Sequence, residues 1–330
     1  MASGLVWLSV VAVVVVAVWG ALFLVTLLVV WRVRRTMPPS GNFIEIAGHT
    51  IHYTDEGRGP TLLLIHGLGG QIGNFAYLVD RLKAKYRVVA LDRPGNGYST
   101  KPASASSGIA SQAQIIAQFI EKLDLDRPLV VGHSLGGAVA LALVVNHAEL
   151  VSGAALLAPL SQQVAGPPDA FKAMAIRSSW RRRLMAWTVA VPGSILNGAR
   201  IGNMIFAPEA IPADFVSRTR GLLSLRPAAF YGASSDLVAA PDDLPDLVTQ
   251  YGSITLPIGI LFGAGDRILD ALVHGKHLAA TIPGAIFEMV EGAGHMIPVT
   301  LPKQASDFIK RISDMALSAN RLREIQSHVV

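Results

Sequence analysis

A serine set among glycines is the first residue of this chain that could act as a nucleophile. Ser134 lies in Gly132-His133-Ser134-Leu135-Gly136-Gly137, between two apolar runs. Glycines permit a sharp strand-to-helix turn that exposes the serine hydroxyl. The following helix would direct backbone N–H groups and a partial positive charge toward a developing oxyanion. The motif predicts a nucleophilic serine, with an ordinary glycine-rich turn as the alternative.

A second glycine-rich segment, His66-Gly67-Leu68-Gly69-Gly70, directly follows the apolar run Thr61–Ile65. Its glycines would allow a backbone N–H to point into the same site. Two N–H donors aimed at one oxygen make an oxyanion hole, and we expect Leu68 and Leu135 to provide them. The alternative is a left-handed turn with no catalytic part.

A carboxylate follows a later apolar run, in Phe262-Gly263-Ala264-Gly265-Asp266. Active groups gather at the carboxyl ends of strands in sheets of this kind, and Asp266 could there orient a histidine and stabilise its imidazolium. Asp270 is the competing acid. The earlier run that ends in Ala158-Pro159-Leu160-Ser161 offers no carboxylate.

The histidine that would complete the set is His295, in Gly292-Ala293-Gly294-His295-Met296. It comes last, so the chain order is serine, aspartate, histidine. We therefore predict a catalytic triad of Ser134, Asp266 and His295.

Three other histidines need a separate interpretation. His133 is adjacent to the nucleophile, but adjacent side chains at a tight turn point apart, so we interpret it as structural. His274 and His277 lie in a predicted helix, and their spacing is a weak metal pattern without acidic support. No metal or organic cofactor is expected.

The elements that must position these residues alternate between β-branched apolar runs and helical patterns. The predicted strands are Phe43–Ala47, Thr50–Thr54, Thr61–Ile65, Tyr86–Leu91, Leu129–Val131, Ala154–Leu157, Ile258–Phe262 and Ala285–Val290. The predicted helices are Gly73–Ala84, Ile109–Leu123, Leu135 to about His147 and about Lys303 to Ala316, with one more between the last two strands. This alternation predicts an α/β fold with a mostly parallel eight-stranded sheet and helices on both faces.

One stretch, residues 160–252, lacks a buried-strand pattern and contains helical fragments, prolines and arginines. It predicts a helical cap over a core formed by residues 42–159 and 253–330. Within it, Trp180–Arg183 precedes the apolar Leu184–Trp187. This segment is either a solvated helix face or a basic amphipathic element that lies on anionic lipid.

The N-terminal residues 1–36 predict one transmembrane helix with a basic flank, followed by a linker at 37–41. Leu5–Trp31 is uncharged over 27 residues, about 40 Å of helix against a hydrocarbon core of about 30 Å. A cleaved signal peptide is the alternative, but the run is longer than usual and no basic residue precedes it. Arg32, Arg34 and Arg35 follow at once, so the positive-inside rule predicts a cytoplasmic catalytic domain.

The composition narrows the function classes. Apolar residues make up 51% of the 330 residues, enough for a packed core. There is no cysteine, which excludes disulfides and thiolate metal sites. A net charge of +5 does not indicate nucleic-acid binding. No sequence feature indicates an oligomeric state.

Together with Asp92-Arg93-Pro94-Gly95-Asn96-Gly97-Tyr98-Ser99, these motifs resemble the α/β-hydrolase fold family over about Asn42 to Ser313. The resemblance implies that residues 92–99 form a loop near the active-site mouth and that the cap lines the substrate pocket. The Asp-Arg-Pro-Gly segment is similar to that of epoxide hydrolases and haloalkane dehalogenases, which use an aspartate nucleophile where this chain has Ser134. The serine branch includes esterases, monoacylglycerol lipases, carbon–carbon bond hydrolases and cofactor-free perhydrolases.

The resemblance and the membrane segment together predict a function. The N-terminal segment is similar to the anchor of membrane-bound monoacylglycerol-lipase-like enzymes. We expect a membrane-anchored serine hydrolase of carboxylic esters, with lipid or acyl esters as substrates and the bilayer as partner. The alternatives are a carbon–carbon bond hydrolase of ring-cleavage products and a non-catalytic binding protein on the same fold.

Overall fold

The computed structural model describes the backbone of residues 2–327 and the side chains of residues 6–322. Residue 1, where the predicted transmembrane segment begins, and residue 330, where the predicted core ends, lie outside the described residues. The strands are β1 Asn42–Ile46, β2 His49–Glu56, β3 Thr61–Ile65, β4 Arg87–Leu91, β5 Leu129–His133, β6 Gly153–Leu157, β7 Ile258–Gly263 and β8 Ile286–Val290. The α-helices are α1 Ala2–Thr36, α2 Ala76–Leu82, α3 Ile109–Lys122, α4 Leu135–Asn146, α5 Ser179–Trp187, α6 Ala190–Phe206, α7 Phe215–Arg218, α8 Pro227–Thr249, α9 His277–Thr281, α10 Ile297–Thr300 and α11 Pro302–Ser327.

The eight strands form one sheet in the order β1-β2-β4-β3-β5-β6-β7-β8. β1 and β2 make an antiparallel hairpin, β2 pairs antiparallel with β4, and the other strand pairs are parallel. Every residue of β5, β6 and β7 is buried, as expected for parallel strands covered on both faces. The predicted α/β fold with a mostly parallel eight-stranded sheet is confirmed.

The parallel register brings the predicted motifs to one edge of the sheet. β3 pairs with β5 through Ile65 and Gly132, and β5 pairs with β6 through His133 and Leu157. The carboxyl ends of these strands therefore lie side by side, and the loops that follow them meet above the sheet.

The structure differs from the predicted helices at three places. Residues Ile72–Phe75 form a 3₁₀ turn before α2, so the predicted helix at 73–84 is divided. The final helix runs to Ser327, well past Ala316. The helix expected between the last two strands begins as a π-helical turn, Leu272–Lys276, and continues as α9.

Four α-helices, α5 to α8, lie between β6 and β7, where a helical cap was expected. Helix α8 is 23 residues long and continues through Pro241 and Pro245. Proline normally breaks helices, so the sequence of this stretch predicted helical fragments and not one long helix. α8 contacts α3 and α4 of the sheet layer as well as α5 and α6, and it thereby joins the cap to the core.

The N-terminal half of helix α1 is exposed, whereas its C-terminal half contacts the cap. Residues 6–18 are exposed on every side. Further along, Thr26, Val30 and Val33 are buried, and α1 contacts α5 and α6. The helix is long and apolar enough to cross a membrane. It lies near the N-terminus, and a signal sequence there can have the same length and apolar composition.

Candidate active site

Ser134 lies at the turn between β5 and α4 in a strained backbone conformation, with φ +53° and ψ −122°. Only a few per cent of non-glycine residues have positive φ, and this one is held by its surroundings. Its N–H donates to the Leu157 carbonyl at 3.1 Å, and its carbonyl accepts from the Gly137 N–H at 2.8 Å. A Cβ on Gly136 would lie 2.1 Å from the Ile65 carbonyl oxygen, so α4 can begin this close to β3 only with glycine there.

The loop after β3 lies against the serine. A Cβ on Gly67 would lie 2.9 Å from the Ser134 Cβ. The Gly70 N–H donates to the Gly67 carbonyl at 3.2 Å, which closes a four-residue turn and leaves the Leu68 N–H unused by that turn. The Leu135 N–H begins α4, where the first N–H groups have no acceptor within the helix. Both donors expected for an oxyanion hole thus belong to loops that meet at Ser134.

The structure joins Asp266 to His295. The His295 Nδ1–H donates to Asp266 Oδ2 at 2.7 Å, and both side chains are buried. Asp266 Oδ1 accepts the N–H groups of Ile268 and Leu269 at 2.8 and 3.0 Å. Burial alone would raise the pKa of Asp266, but His295 and these two N–H donors outweigh it and hold the pKa below its usual range. With Nδ1 protonated, His295 Nε2 is an acceptor, as a general base requires.

The competing acid has a different role. Asp270 Oδ1 accepts the N–H groups of Leu272 and Val273 at 2.7 and 3.2 Å. It therefore caps the turn that follows β7, and the structure brings only Asp266 of these two acids to His295.

His295 lies over the residue adjacent to the serine. The rings of His133 and His295 are 5.0 Å apart, and His133 Nε2–H donates to the His295 carbonyl at 3.0 Å. Within residues 6–322, no hydrogen bond joins the Ser134 hydroxyl to His295. Catalytic hydrogen bonds are often long without substrate and shorten in the reactive complex. The acid–histidine pair is therefore formed, and the serine–histidine contact is not closed.

Two buried histidines support the loops around the serine. Burial lowers the pKa of His133 to about 3, so it is neutral at physiological pH. Burial, together with the Arg93 guanidinium, lowers the pKa of His66 to about 3. His66 Nε2 accepts the Arg93 N–H at 3.0 Å, and Nδ1–H donates to the Gly67 carbonyl at 2.9 Å. The neutral ring thus links the β3 and β4 loops, and the structural interpretation of His133 agrees with its contacts.

Arg93 is the hub of a buried network that the triad prediction did not include. It is fully buried, and its guanidinium donates to the carbonyls of His66 and Gly67 at 2.8 and 2.9 Å. It also donates to Gln112 Oε1 at 2.6 Å and to Asp236 Oδ2 at 2.9 Å. Since Asp236 belongs to α8, this network connects the oxyanion loop directly to the cap.

A second cap carboxylate holds the histidine loop. Glu209 Oε2 accepts the Gly294 N–H at 2.9 Å and the Thr300 hydroxyl at 3.0 Å. A Cβ on Gly294 would lie 2.3 Å from the Ala207 carbonyl oxygen. The cap segment around Ala207 therefore packs directly on the loop that carries His295.

The contacts of His274 and His277 differ from those of a pair of metal ligands. His274 Nδ1 accepts the N–H groups of Ser161 and Gln162, both at 3.2 Å, and burial lowers its pKa to about 4. Over the part of the chain that the structure describes, no cluster of three or more potential metal ligands occurs. His277 is exposed on α9.

Comparison with known proteins assigns the family. Residues 60–300 match the family model described as the alpha/beta hydrolase fold, and the chain belongs to this family. An uncharacterised protein of Mycobacterium tuberculosis is 29% identical over 296 residues, which are 86% of this chain and 83% of that protein.

Solved structures agree on the fold. A thermophilic esterase from Thermogutta terrifontis has a TM-score of 0.64 and 21% identity, covering 84% of this chain and 99% of the esterase. A bacterial membrane phospholipase A has a TM-score of 0.64 and 23% identity, covering 96% of this chain and 99% of the phospholipase. At these identities the likeness concerns the fold. With the family match, it shows an α/β-hydrolase whose structural neighbours include esterases and lipases.

Proposed function

We propose that this chain is a membrane-anchored serine hydrolase that cleaves carboxylic esters, with Ser134, Asp266 and His295 as its triad. One observation carries the proposal: His295 is fixed by Asp266 in the tautomer of a general base, above the same sheet edge as the strained Ser134. A glycine-rich turn without catalytic work would need neither the backbone strain nor the buried acid–histidine pair.

The proposed reaction passes through an acyl-enzyme. His295 Nε2 takes the Ser134 proton as the oxygen attacks the ester carbonyl carbon, and the carbonyl π electrons move to oxygen. Asp266 stabilises the imidazolium that forms. The tetrahedral intermediate collapses, the ester C–O bond breaks, and His295 returns the proton to the leaving alkoxide. Water then attacks the acyl-enzyme by the same route, which releases the acid and restores Ser134.

The negative charge of the tetrahedral intermediate needs donors, and we assign them to the N–H groups of Leu68 and Leu135. The α4 N-terminus adds its partial positive charge at the same point. Position 134 separates this chain from relatives that use an aspartate nucleophile, because an alkyl-enzyme ester requires a carboxylate there.

Acyl esters of short to medium chain length and membrane lipids are the substrates that we propose. The apolar helix α1 and its contact with the cap support this choice, because they would hold the site close to a bilayer. The structural likeness to an esterase and to a membrane phospholipase A points the same way. Arg32, Arg34 and Arg35 support a cytoplasmic catalytic domain. Protease protection in oriented vesicles tests that orientation, and digestion of the domain from the outer face would contradict it.

A fluorophosphonate probe tests the nucleophile on the full detergent-solubilised chain. We expect wild type to be labelled and Ser134→Ala to lose both labelling and turnover, since removal of a triad member costs orders of magnitude in rate. Ser224→Ala, at an exposed hydroxyl of the cap, is the matched control and should behave as wild type. Near-wild-type turnover in Ser134→Ala would contradict the mechanism.

The substrate class needs its own comparison. A series of p-nitrophenyl esters, from acetate to dodecanoate, measured beside a vinylogous diketone, separates ester hydrolysis from cleavage of a carbon–carbon bond. We expect the esters to be hydrolysed and the diketone to persist. Absence of both probe labelling and turnover would favour a binding protein, because an inert binder would not react at Ser134.

A further inference from the structure

Helix α1 has an inner face that packs on the cap. Thr26, Val30 and Val33 are buried along it, at the spacing of one helical face. The Phe23 ring lies 6.0 Å from the Trp187 ring at the end of α5. The cap and the C-terminal half of α1 therefore form one packed unit.

The outer face of the same half is apolar and uncovered. Leu24, Leu28 and Trp31 are 61%, 67% and 56% exposed. Their spacing places them on one stripe, which continues into residues 6–18, exposed all round. An exposed apolar stripe that runs along this much of a helix is a contact surface for lipid or for protein.

The cap continues this apolar surface. On α6, Ile195 and Leu196 are 52% and 83% exposed. On α5, Trp180 and Leu184 are 65% and 43% exposed. Large apolar side chains rarely crowd on the surface of a soluble domain without a partner.

The basic residues of α5 divide into two roles. Arg182 is buried and donates to the Ser234 and Ser235 hydroxyls at 2.9 and 2.8 Å, which holds α5 on α8. Arg181 and Arg183 are exposed beside Trp180. The central arginine of α5 therefore points inward, and Arg181 and Arg183 remain available to contact solvent or anionic lipid.

The linker between α1 and the sheet fixes how the anchor leaves the domain. His52 Nε2–H donates to the Ser40 carbonyl at 2.5 Å. From the cap, Arg220 donates to the Pro38 carbonyl and to the Ser40 hydroxyl. The angle between α1 and the cap is thus set by contacts on both sides of the linker.

The positions of residues on α1 relative to the membrane surface connect these observations. Arginines prefer the headgroup level, so Arg32 marks the membrane surface. Phe23 precedes it by nine residues, or about 13 Å of helix. Trp187, which contacts Phe23, must then lie on the membrane side of that surface. A cap held at this angle cannot remain wholly in water.

We infer that α5 and α6 are immersed in the leaflet next to the basic flank, with Leu196 below the phosphates and Arg181 and Arg183 among anionic headgroups. This inference rests on the proposed membrane anchorage. Lipid fits better than a second copy of the chain, because the exposed stripe is continuous with a helix half that is apolar on every side. The flanking arginines also complement anionic lipid.

The absence of cysteine permits a direct test with single labels. Leu196→Cys reports on the cap and Val14→Cys on the free half of α1. Met289→Cys, at a 43% exposed position of β8, is the matched control outside the cap. Each full-length variant carries the environment-sensitive fluorophore NBD, is checked by circular dichroism, and is reconstituted in phosphatidylcholine–phosphatidylglycerol vesicles with or without doxyl-labelled lipid.

We expect the labels at 196 and 14 to shift their emission to shorter wavelength and to lose at least half their intensity to doxyl lipid. The label at 289 should change little. A water-like, unquenched label at 196 together with a quenched label at 14 would overturn cap immersion, whereas unquenched labels at both positions would overturn the anchorage on which it rests. Because the label at 14 reports anchorage by itself, failure of the anchor and failure of cap immersion give different patterns.

A second copy of the chain on this surface gives a different result. The label at 196 would then be shielded from aqueous iodide but not quenched by doxyl lipid, and energy transfer would occur between differently labelled copies. That pattern would overturn lipid immersion in favour of self-association. Weaker quenching at 196 in vesicles without phosphatidylglycerol, with unchanged quenching at 14, would support the role of the arginines.

Discussion

The buried Arg93–Asp236 pair provides the sharpest test of how the cap supports the site. Arg93 is fully buried and Asp236 is 1% exposed, and their closest atoms are 2.9 Å apart. In Asp236→Ala, Arg93 keeps its two carbonyl acceptors and Gln112 but loses its counter-charge. Breaking a buried pair on one side costs about 3–5 kcal/mol. Asn96 also loses its acceptor Asp236 Oδ2 at 2.9 Å and keeps the Pro94 carbonyl at 3.4 Å, so the loss of stability should not fall below this range.

The activity of the same variant tests positioning apart from stability. Arg93 holds the carbonyls of His66 and Gly67, whose loop carries the Leu68 N–H. Complete removal of one oxyanion donor costs about 10²–10³ in kcat. A displaced donor should cost less, and we expect kcat to fall about tenfold, or about 1.4 kcal/mol, with KM within about twofold of wild type by the reasoning for transition-state interactions.

Urea unfolding and steady-state ester hydrolysis, both at a temperature where the variant is folded, measure the two effects. Asp243→Ala on the same helix is the matched control: its carboxylate accepts the Ala110 N–H at 2.9 Å and is partly exposed. It lies about 10 Å along α8 from Asp236. It should lose about 1 kcal/mol or less, as for a helix cap, with unchanged kcat. A loss below about 1 kcal/mol in Asp236→Ala would refute the buried-charge argument. An unchanged kcat in folded Asp236→Ala would refute positioning. Asp236→Asn, which keeps an acceptor oxygen, should recover part of both losses.

Three further predictions follow from the site. Asp266→Asn should lower kcat about 10⁴-fold, because His295 would take the wrong tautomer. Asp270→Asn should keep kcat within about tenfold of wild type, because Asp270 only caps a turn. Equal losses of kcat in an esterase assay would contradict the assignment of Asp266. Burial holds the pKa of His66 and of His133 at about 3, below the ordinary 6.5, so the unfolded chain binds protons first and stability falls as pH drops below about 6.5. Urea unfolding at about pH 7 and about pH 5.5 should differ by about 3–4 kcal/mol, of which the buried His274, with its pKa lowered to about 4, contributes about 1 kcal/mol. Equal stability would show that these rings are protonated in the folded chain. Gly136→Ala should destabilise the fold by about 1–3 kcal/mol, measured by thermal unfolding, because its Cβ would meet the Ile65 carbonyl at 2.1 Å; a neutral effect would mean that α4 can shift.

Much of the site could be predicted because its residues lie where strands end. Ser134 and Asp266 each follow an apolar run that the structure forms as a strand. Parallel strands bring their carboxyl ends to one edge, so local motifs predict a three-dimensional cluster. The choice of Asp266 over Asp270 also had a local basis, because Asp266 lies nearer to the end of β7 at Gly263.

The supporting network was not predictable in the same way. Arg93 and Asp236 are 143 residues apart in sequence, and nothing local in the cap indicates which acid faces inward. The one available signal was Asp236 standing as the single charged residue between Ala233 and Ala240. Glu209 was hidden for the same reason, since its partner Gly294 is 85 residues away. These contacts between cap and core depend on how α8 and the segment around Ala207 pack on the core. The spacing of apolar residues in the sequence does not predict that packing.

The contacts at Pro38 and Ser40 join helix α1 to the cap through Arg220. A cap built this way cannot swing outward as an independent lid, because α1 would have to tilt with it. If α1 spans a bilayer, as we propose, the work of admitting a substrate includes the resistance of the surrounding lipids to deformation. Turnover would consequently vary with bilayer thickness and stiffness even when the chemistry at the serine is unchanged.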